Sequence, residues 1–429
     1  MTDYDVIIIG GGIAGLSLAA LLSNLGKKIL LLEKNGIGGR TRILRKNGFV
    51  LDFGVHILKG GQHKIFKELN AGFLPIKRLP LLHGFIIEDN NILHVTPKLS
   101  SLFKFKFIKF SDIKHLVRIL LPLLIRKPDK YYKIPITKWL KNNNANERIF
   151  KIIKLLCTFL LVSPAIERLS LGEMLYEIKN LNLANTGLPV GGFSSLLKYY
   201  INIITKNGNK ILKGKEGKVD EILIKNGAAY GVRVQNKTIT SKFVVVAFPL
   251  KNLHEILDEK YFDTKIKEQI NSLKQTAGIS IDFCIKSHIF KENGFITLDP
   301  VTMGFFTSNI DKTIAPSGKQ LLTIYNILEL DDFNDKSILK RKEEYLRNKI
   351  YKMFPKLEKN IEWERTLYLK MVDGVEPNIY NSILDRPGNI FPNIKNLYLA
   401  CDQTNSHGTG GNIALNSAWN CYQILKKKF

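Results

Sequence analysis

The first forty residues restrict the fold more than any other stretch. An apolar run, 6–9, is followed at once by Gly10-x-Gly12-x-x-Gly15 and then by Leu16-Ser17-Leu18-Ala19-Ala20-Leu21-Leu22. A second apolar run, 28–32, closes on the acid Glu33. Strand, glycine turn, helix and second strand in that order make the βαβ unit that binds a dinucleotide. Gly10 permits the tight turn, Gly12 lets a pyrophosphate approach the backbone, and Gly15 lets the helix lie close on the strands. Ile13 and Ala14 begin the helix, whose positive end attracts the anion. Glu33 is placed to accept hydrogen bonds from ribose hydroxyls. These residues alone suit NAD and FAD equally well.

A chain of 429 residues accommodates two domains with full cores. Its 64 Lys+Arg against 38 Asp+Glu give a net charge of +26, which favours anionic ligands or surfaces. A lysine-biased proteome would produce the same excess. No motif of nucleic-acid binding is present, so the anionic partner expected is a membrane surface and not nucleic acid. Cys157, Cys284, Cys401 and Cys421 are far apart and form no CxxC pair. That argues against a metal site or a disulfide framework and suits a reducing cytoplasm. The chain enters a strand by Tyr4, which leaves no room for a signal peptide, and no apolar stretch is long enough to span a bilayer. The expectation is a cytoplasmic protein, peripheral on the inner face of a membrane.

After Glu33 and Lys34 come Gly38-Gly39-Arg40-Thr41-Arg42 and then Gly48-Phe49-Val50-Leu51-Asp52-Phe53-Gly54-Val55-His56. This pair of signatures resembles the glutathione-reductase-type flavoproteins, a group that includes phytoene desaturases, retinol saturases, carotenoid isomerases, protoporphyrinogen oxidases and amine oxidases. The resemblance implies a non-covalently bound FAD. Small residues at Gly39 and Gly54 would let backbone approach it, with Lys34, Thr41 and Val55 alongside. Arg40 would offer its fork of donors to pyrophosphate or flavin oxygens. His56 would lie near the flavin and is the candidate catalytic side chain; a packed structural histidine is the alternative.

Residues 62–183 read as helical, basic and aromatic. Near 98–127 cations alternate with Phe, Leu and Ile, the composition of a segment lying in a headgroup layer. A solvated edge strand with a core helix is the other reading. Stretches 152–162 and 169–178 read as buried helices. From 188 a helix runs to 204, and a strand at 243–247 ends in Phe248-Pro249. By the same resemblance Val219 would hold the adenine edge through its backbone, and Pro249 would lie beside the cofactor. Strands are expected at 279–285, 321–328 and 367–372, with a charged helix at 336–353 between the last two. At the C-terminus, Tyr398-Leu399-Ala400-Cys401-Asp402 looks like the family's Ala-Gly-Asp element, whose acid binds the ribityl chain. Gly410-Gly411-Asn412-Ile413 would open the last helix, with its N–H groups supporting the flavin. Cys401 departs from the usual glycine.

The fold expected is therefore α/β: a discontinuous, glutathione-reductase-type Rossmann-like FAD domain from 1–75, 185–258 and 385–429. A mixed-sheet and helical substrate domain would be built from 76–184 and 259–384. Amine oxidases of this fold commonly carry a lysine where Ser280 stands, and their C-terminal acid is typically Glu where this chain has Asp402. The basic–apolar insert and the Asp52–His56 region look closer to the phytoene-desaturase, retinol-saturase and carotenoid-isomerase branch. The expected activity is an FAD-dependent oxidoreductase acting on C–C bonds of a long apolar polyene, isoprenoid or acyl lipid. An amine or porphyrinogen oxidase is the enzymatic alternative, and a lipid carrier resembling the Rab GDP-dissociation inhibitors the non-catalytic one.

Overall fold

The computed structural model describes residues 2–53, 57–70, 76–78, 85–89, 91–95, 109–181 and 186–429. Parallel strands buried on both faces need unbroken apolar runs. Tyr4–Ile9 supplies the first and sits between two parallel neighbours, Ile29–Glu33 and Lys237–Val246, with Val6 opposite Ile29 on one side and Phe243 on the other. Lys210–Lys213 extends the sheet beyond Ile29–Glu33, and Leu397–Leu399 pairs in parallel with Lys237–Val246. Glu221–Lys225 and Ala228–Val234 add an antiparallel extension. The seven strands come from three separate stretches of chain.

The helix Ile13–Asn24 crosses between the first two strands. It is apolar around its circumference, which only an enclosed helix tolerates, and residues 13–23 are all buried. The sheet lies beneath it, and the helices Phe193–Lys206 and Gly411–Lys426 flank it. Leu16, Leu18, Leu21 and Leu22 are at most 1% exposed in this layer, each worth roughly 1.5–3 kcal/mol of burial.

A second seven-stranded sheet runs Ile361–Leu369, Ala277–Ile285, Gln320–Leu328, Val301–Phe305, Gly294–Leu298, Phe85–Asp89, Asn91–Val95. All its neighbours are antiparallel except Gly294–Leu298 with Phe85–Asp89. The helix Lys336–Met353 covers it, Leu346, Ile350 and Met353 sharing a core with Phe283, Leu322 and Ile324. Helices Phe110–Ile125, Ile136–Asn142, Glu147–Leu160 and Leu171–Lys179 build a separate core around Ile149, Ile153, Leu169 and Met174. Among the described residues, no helix is long and apolar enough to cross a membrane.

Two segments depart from the sequence expectation. Stretch 62–183 is not wholly helical: Ile76–Arg78, Phe85–Asp89 and Asn91–Val95 are strands. The last two form a hairpin whose outer partner, Gly294–Leu298, lies some two hundred residues away, so no local periodicity reports the pairing. The strand expected at 367–372 is Ile361–Leu369. Beyond it, Val372 and Asp373 pair instead with Thr276 (Val372 N to Thr276 O, 2.9 Å). Residues 98–108 of the basic–apolar insert lie outside the described residues.

Candidate functional site

A cleft of about 450 Å³ opens at the C-terminal ends of the parallel strands, where open α/β sheets take ligands. Gly10, Gly12, Ile13 and Ala14 line it, together with Glu33, Lys34, Gly39, Arg40, Thr41, Val219, Pro249, Asp402 and Gly411. Residues far apart in the chain are thus brought to one cavity of cofactor size.

The three fingerprint glycines divide as steric reasoning requires. Gly10 has φ +114°, and a Cβ there would lie 2.6 Å from Ala247 O. A Cβ on Gly15 would fall 2.0 Å from Gly10 O, so Gly15 serves helix–strand packing. Gly12 differs: its φ is −74°, and a Cβ would meet nothing within 4 Å. The protein does not need a glycine there; the open cleft does. Gly12 also leaves the helix without a side-chain cap, so its first-turn N–H groups are available to an anion. The last helix, Gly411–Lys426, likewise begins without a side-chain cap, and Gly410, Gly411 and Ala414 reach the same cleft. Two positive helix ends therefore converge on one cavity, as a dinucleotide pyrophosphate and an anionic ring would require.

Glu33 braces the turn: its Oε2 accepts from Gly11 N and its Oε1 from Asn35 N, both at 2.7 Å. Each oxygen retains a lone pair for a ribose hydroxyl. Thr41 donates to Gly38 O at 2.7 Å and holds the tight turn that presents Arg40. The resemblance gives Arg40 and Asp402 separate ligands, but here they meet. Arg40 Nη2 is 2.7 Å from Asp402 Oδ2, which also accepts from Gly374 N at 2.7 Å. The pair ties the Gly39–Thr41 turn to the C-terminal strand, while Arg40 stays 36% exposed toward the cleft. Lys34 Nζ lies 3.2 Å from Glu255 Oε2 at the surface. Val219 is buried just before the strand Glu221–Lys225.

Three expected residues sit elsewhere. Gly15 is behind the cleft wall. Asn412 turns its Oδ1 to Gly61 N at 3.0 Å, and Ile413 is 1% exposed in the core beneath the sheet. They build the helix start that Gly411 presents. Gly54, Val55 and His56 lie outside the described residues. Cys401 lines the cleft as a buried free thiol whose pKa burial pushes up.

Behind the cleft is a second cavity of about 90 Å³, and the two share Val372, Asp373, Gly410 and Gly411. Ile279, Met303, Ile327 and Leu369 of the second sheet line it from one side, Phe159 and Val162 of the helical insert from the other. Its polar groups include Lys59, Tyr325 and Asp373. None of these three was singled out from the sequence. Lys59 is the second residue of the two-residue strand Leu58–Lys59 and Asp373 lies past a strand end, positions with no periodicity to read. Ser280, at the amine-oxidase lysine position, does not line the cavity; its hydroxyl donates to Ile324 O at 3.1 Å.

Burial pushes the Asp373 carboxyl up to about 6, against the opposing hydrogen bond from Gly410 N. Glu177 is raised to about 7, chiefly by burial, with Lys59 pulling the other way. The folded protein therefore holds the Glu177 proton up to about pH 7, whereas the unfolded chain releases it near 4.5. Stability contributed by the protonated form is intact below 4.5 and lost as pH rises through 7, a swing of about 3 kcal/mol. Glu177→Gln is expected to raise Tm at about pH 8 and to leave it nearly unchanged at about pH 4, measured by calorimetry. Equal shifts at both would show that Glu177 is already ionised in the fold.

Residues 8–71 match the family of NAD(P)-binding Rossmann-like domains. The chain is homologous over nearly its full length to 4,4'-diapophytoene desaturase (4,4'-diaponeurosporene-forming) of Staphylococcus haemolyticus, at 24% identity covering 96% of this chain and 97% of that one. In fold it is similar to an oxidoreductase from Methanosarcina mazei, with TM-score 0.80 at 18% identity over 98% and 100% of the two chains. It is also similar to cyclohexylamine oxidase from Brevibacterium oxydans, with TM-score 0.71 at 15% identity over 99% of each.

Proposed function

We propose that this chain is an FAD-dependent oxidoreductase acting on carbon–carbon bonds of a long apolar polyene, isoprenoid or acyl-lipid substrate. One observation carries the reading: a glycine-lined cleft with two uncapped helix ends shares a wall with a mainly apolar cavity. The nucleotide would occupy the first, and the reacting carbons of the substrate the second. Full-length homology to a diapophytoene desaturase supports the substrate class. On this reading 1–75, 185–258 and 385–429 hold the cofactor, and 76–184 and 259–384 hold the substrate.

FAD, when bound, supplies a carbon-to-nitrogen hydride exchange that no side chain offers. The chain's own residues do the rest. Gly12, Ile13 and Ala14 seat the pyrophosphate, and Glu33 takes the ribose. Arg40 and Asp402, locked together, fix a turn that would hold the middle of the cofactor. Phe159, Val162, Met303 and Leu369 wrap the substrate and keep water from the exchange. Amine oxidation is disfavoured because Ser280 is small, hydrogen-bonded and off the cavity. The test is purification of the full chain with FAD present. Retained flavin that is reduced, or reoxidised, by a polyene and not by amines supports the reading. A colourless protein that takes up no FAD would sink it and leave the lipid carrier.

The same reading has the protein at the inner face of an anionic membrane, in the cytoplasm, through the helix Phe110–Ile125. Ile113, Val117, Leu121 and Ile125 recur along one face and are 43–81% exposed, with Lys114, Arg118 and Arg126 exposed beside them. Apolar side chains flanked by cations are the composition that lies in a headgroup layer. Ile113→Ser/Val117→Ser/Leu121→Ser is expected to weaken co-sedimentation with phosphatidylglycerol vesicles by about tenfold or more. Unchanged binding would exclude this helix as the contact.

A further inference from the structure

We propose that Asp373 exchanges the proton that accompanies hydride transfer, taking it from or returning it to the neighbouring substrate carbon, with Lys59 as the half-buried cation that steadies its carboxylate. The proposal rests on the flavin reading of the cleft given above.

Position comes first. Asp373 belongs to the wall shared by the two cavities, so it faces both the nucleotide cleft and the apolar chamber. It is 3% exposed, and its backbone is held from both sides. The Asp373 N–H donates to Thr276 Oγ1 at 2.9 Å, and Asp373 O accepts from Thr276 N at 3.2 Å. Carboxylate Oδ2 accepts from Gly410 N at 2.6 Å, at the mouth of the last helix. Oδ1 makes no hydrogen bond among the described residues, which leaves one oxygen to meet a proton. A buried carboxyl oriented this way, with one oxygen fixed and one free, is geometrically ready for general acid–base work.

The surrounding charges set its behaviour. From the cleft side Asp402 and Arg40 face it, and from the apolar side Lys59. Lys59 Nζ is held by Leu160 O at 3.1 Å, Phe159 O at 3.3 Å and Thr409 Oγ1 at 3.0 Å. The two carbonyls come from the C-terminal end of the helix Glu147–Leu160 and its last turn, where cations are stabilised. Those three acceptors use the three ammonium protons, and no carboxylate forms an ion pair with Lys59 among the described residues. Its charge is therefore fixed in place and acts on Asp373 across the cavity. A second buried acid, Glu177, feels the charges of both Lys59 and Asp373. The Tyr325 hydroxyl in the same chamber is less suited: it lies against Met303 Sδ at 3.5 Å, and burial raises its pKa far above neutrality. Asp373, near 6, is both ionised and protonated in useful amounts around neutral pH.

In the desaturating direction, one substrate C–H bond would break with its electron pair leaving as hydride, which FAD, when bound, would accept. The C–H bond on the adjacent carbon breaks heterolytically. Its proton goes to Asp373 Oδ1, and its electron pair becomes the new C=C bond. The substrate would lose two electrons, which bound FAD would take up. Saturation runs the same steps backwards, with protonated Asp373 as donor.

The test compares the FAD-loaded full chain with Asp373→Asn, which keeps the shape and an acceptor for Gly410 N. Single-turnover flavin reduction or reoxidation by a polyene is expected to slow by about 10²–10⁴-fold, with FAD affinity within a few-fold of wild type. Wild type should show an inflection near pH 6 in that rate, absent in the variant. Infrared difference titration of the protein without substrate supplies an independent readout: a protonated-carboxyl band lost near pH 6 in wild type and missing in Asp373→Asn. Lys59→Met should move that inflection to higher pH. A variant that keeps the wild-type rate and pH profile overturns the proposal for Asp373, and an unmoved inflection in Lys59→Met overturns the role of the cation. If wild type retains no FAD, the flavin reading fails by itself, and the infrared band still decides whether Asp373 titrates as described.

Discussion

Gly12→Val is expected to yield a folded protein that binds FAD at least about 100-fold more weakly than wild type. The backbone at Gly12 is in a region open to any residue (φ −74°, ψ −178°), and a Cβ there contacts nothing. The cost to the fold is that of a poor helix cap, about 1 kcal/mol or less. The isopropyl group would instead fill the space in front of the Ile13 and Ala14 N–H groups, where a pyrophosphate must sit. Gly15→Val is the control. Its Cβ would lie 2.0 Å from Gly10 O, so the βαβ unit cannot close and soluble protein is lost. Flavin content and Tm of the two variants separate the roles. Wild-type flavin affinity in Gly12→Val would mean that the cofactor does not cross this helix end.

Among buried ion pairs, the largest stability effect is expected at Arg386. Its Nη2 meets Glu173 Oε1 at 2.5 Å and its Nη1 meets Ser406 O at 3.1 Å, with both side chains of the ion pair 1% exposed. The same Glu173 oxygen accepts from Ile383 N at 2.7 Å. The pair fastens the helix Leu171–Lys179 of the insert to the loop before the C-terminal strand. Arg386→Leu leaves a buried carboxylate without its cation, a loss of about 3–5 kcal/mol and a Tm lower by roughly 3–6 °C. Glu173→Leu/Arg386→Leu should recover much of that, because no charge is then stranded. A single variant costing under about 1 kcal/mol would show that water reaches the pair. The damage should extend to FAD affinity, since Ser406 lies between Asp402 and Gly410.

Why these two sites were unequally legible has a physical basis. The cleft was readable because each piece has a local signature: an apolar run, glycines at fixed offsets, an acid at a strand end. Gly10, Glu33, Arg40, Asp402 and Gly411 meet in space although they lie hundreds of residues apart. The Arg40–Asp402 contact itself was not readable, since each was matched to the cofactor and not to the other. Nor was the Glu173–Arg386 pair, which joins an ordinary helix position to a loop. Asp373 lies past a strand end and Lys59 in a two-residue strand, both in segments of no periodicity, and only the assembled wall between two cavities gives them a shared purpose. The hairpin 85–95 was missed because its partner strand is remote. The exposed face of Phe110–Ile125 was visible as a basic–apolar pattern, and the tertiary packing decides which of its residues remain outside.

The most direct test of the whole account is anaerobic mixing of the FAD-loaded protein with 4,4'-diapophytoene and its more unsaturated products, following the visible absorbance of the flavin. The account predicts that one of these lipids exchanges electrons with the protein: oxidised flavin bleached by the less unsaturated one, or reduced flavin recoloured by the more unsaturated one, with a matching change of two hydrogens in the lipid. Flavin that no polyene, isoprenoid or acyl lipid alters, but that cyclohexylamine or putrescine bleaches, would contradict it.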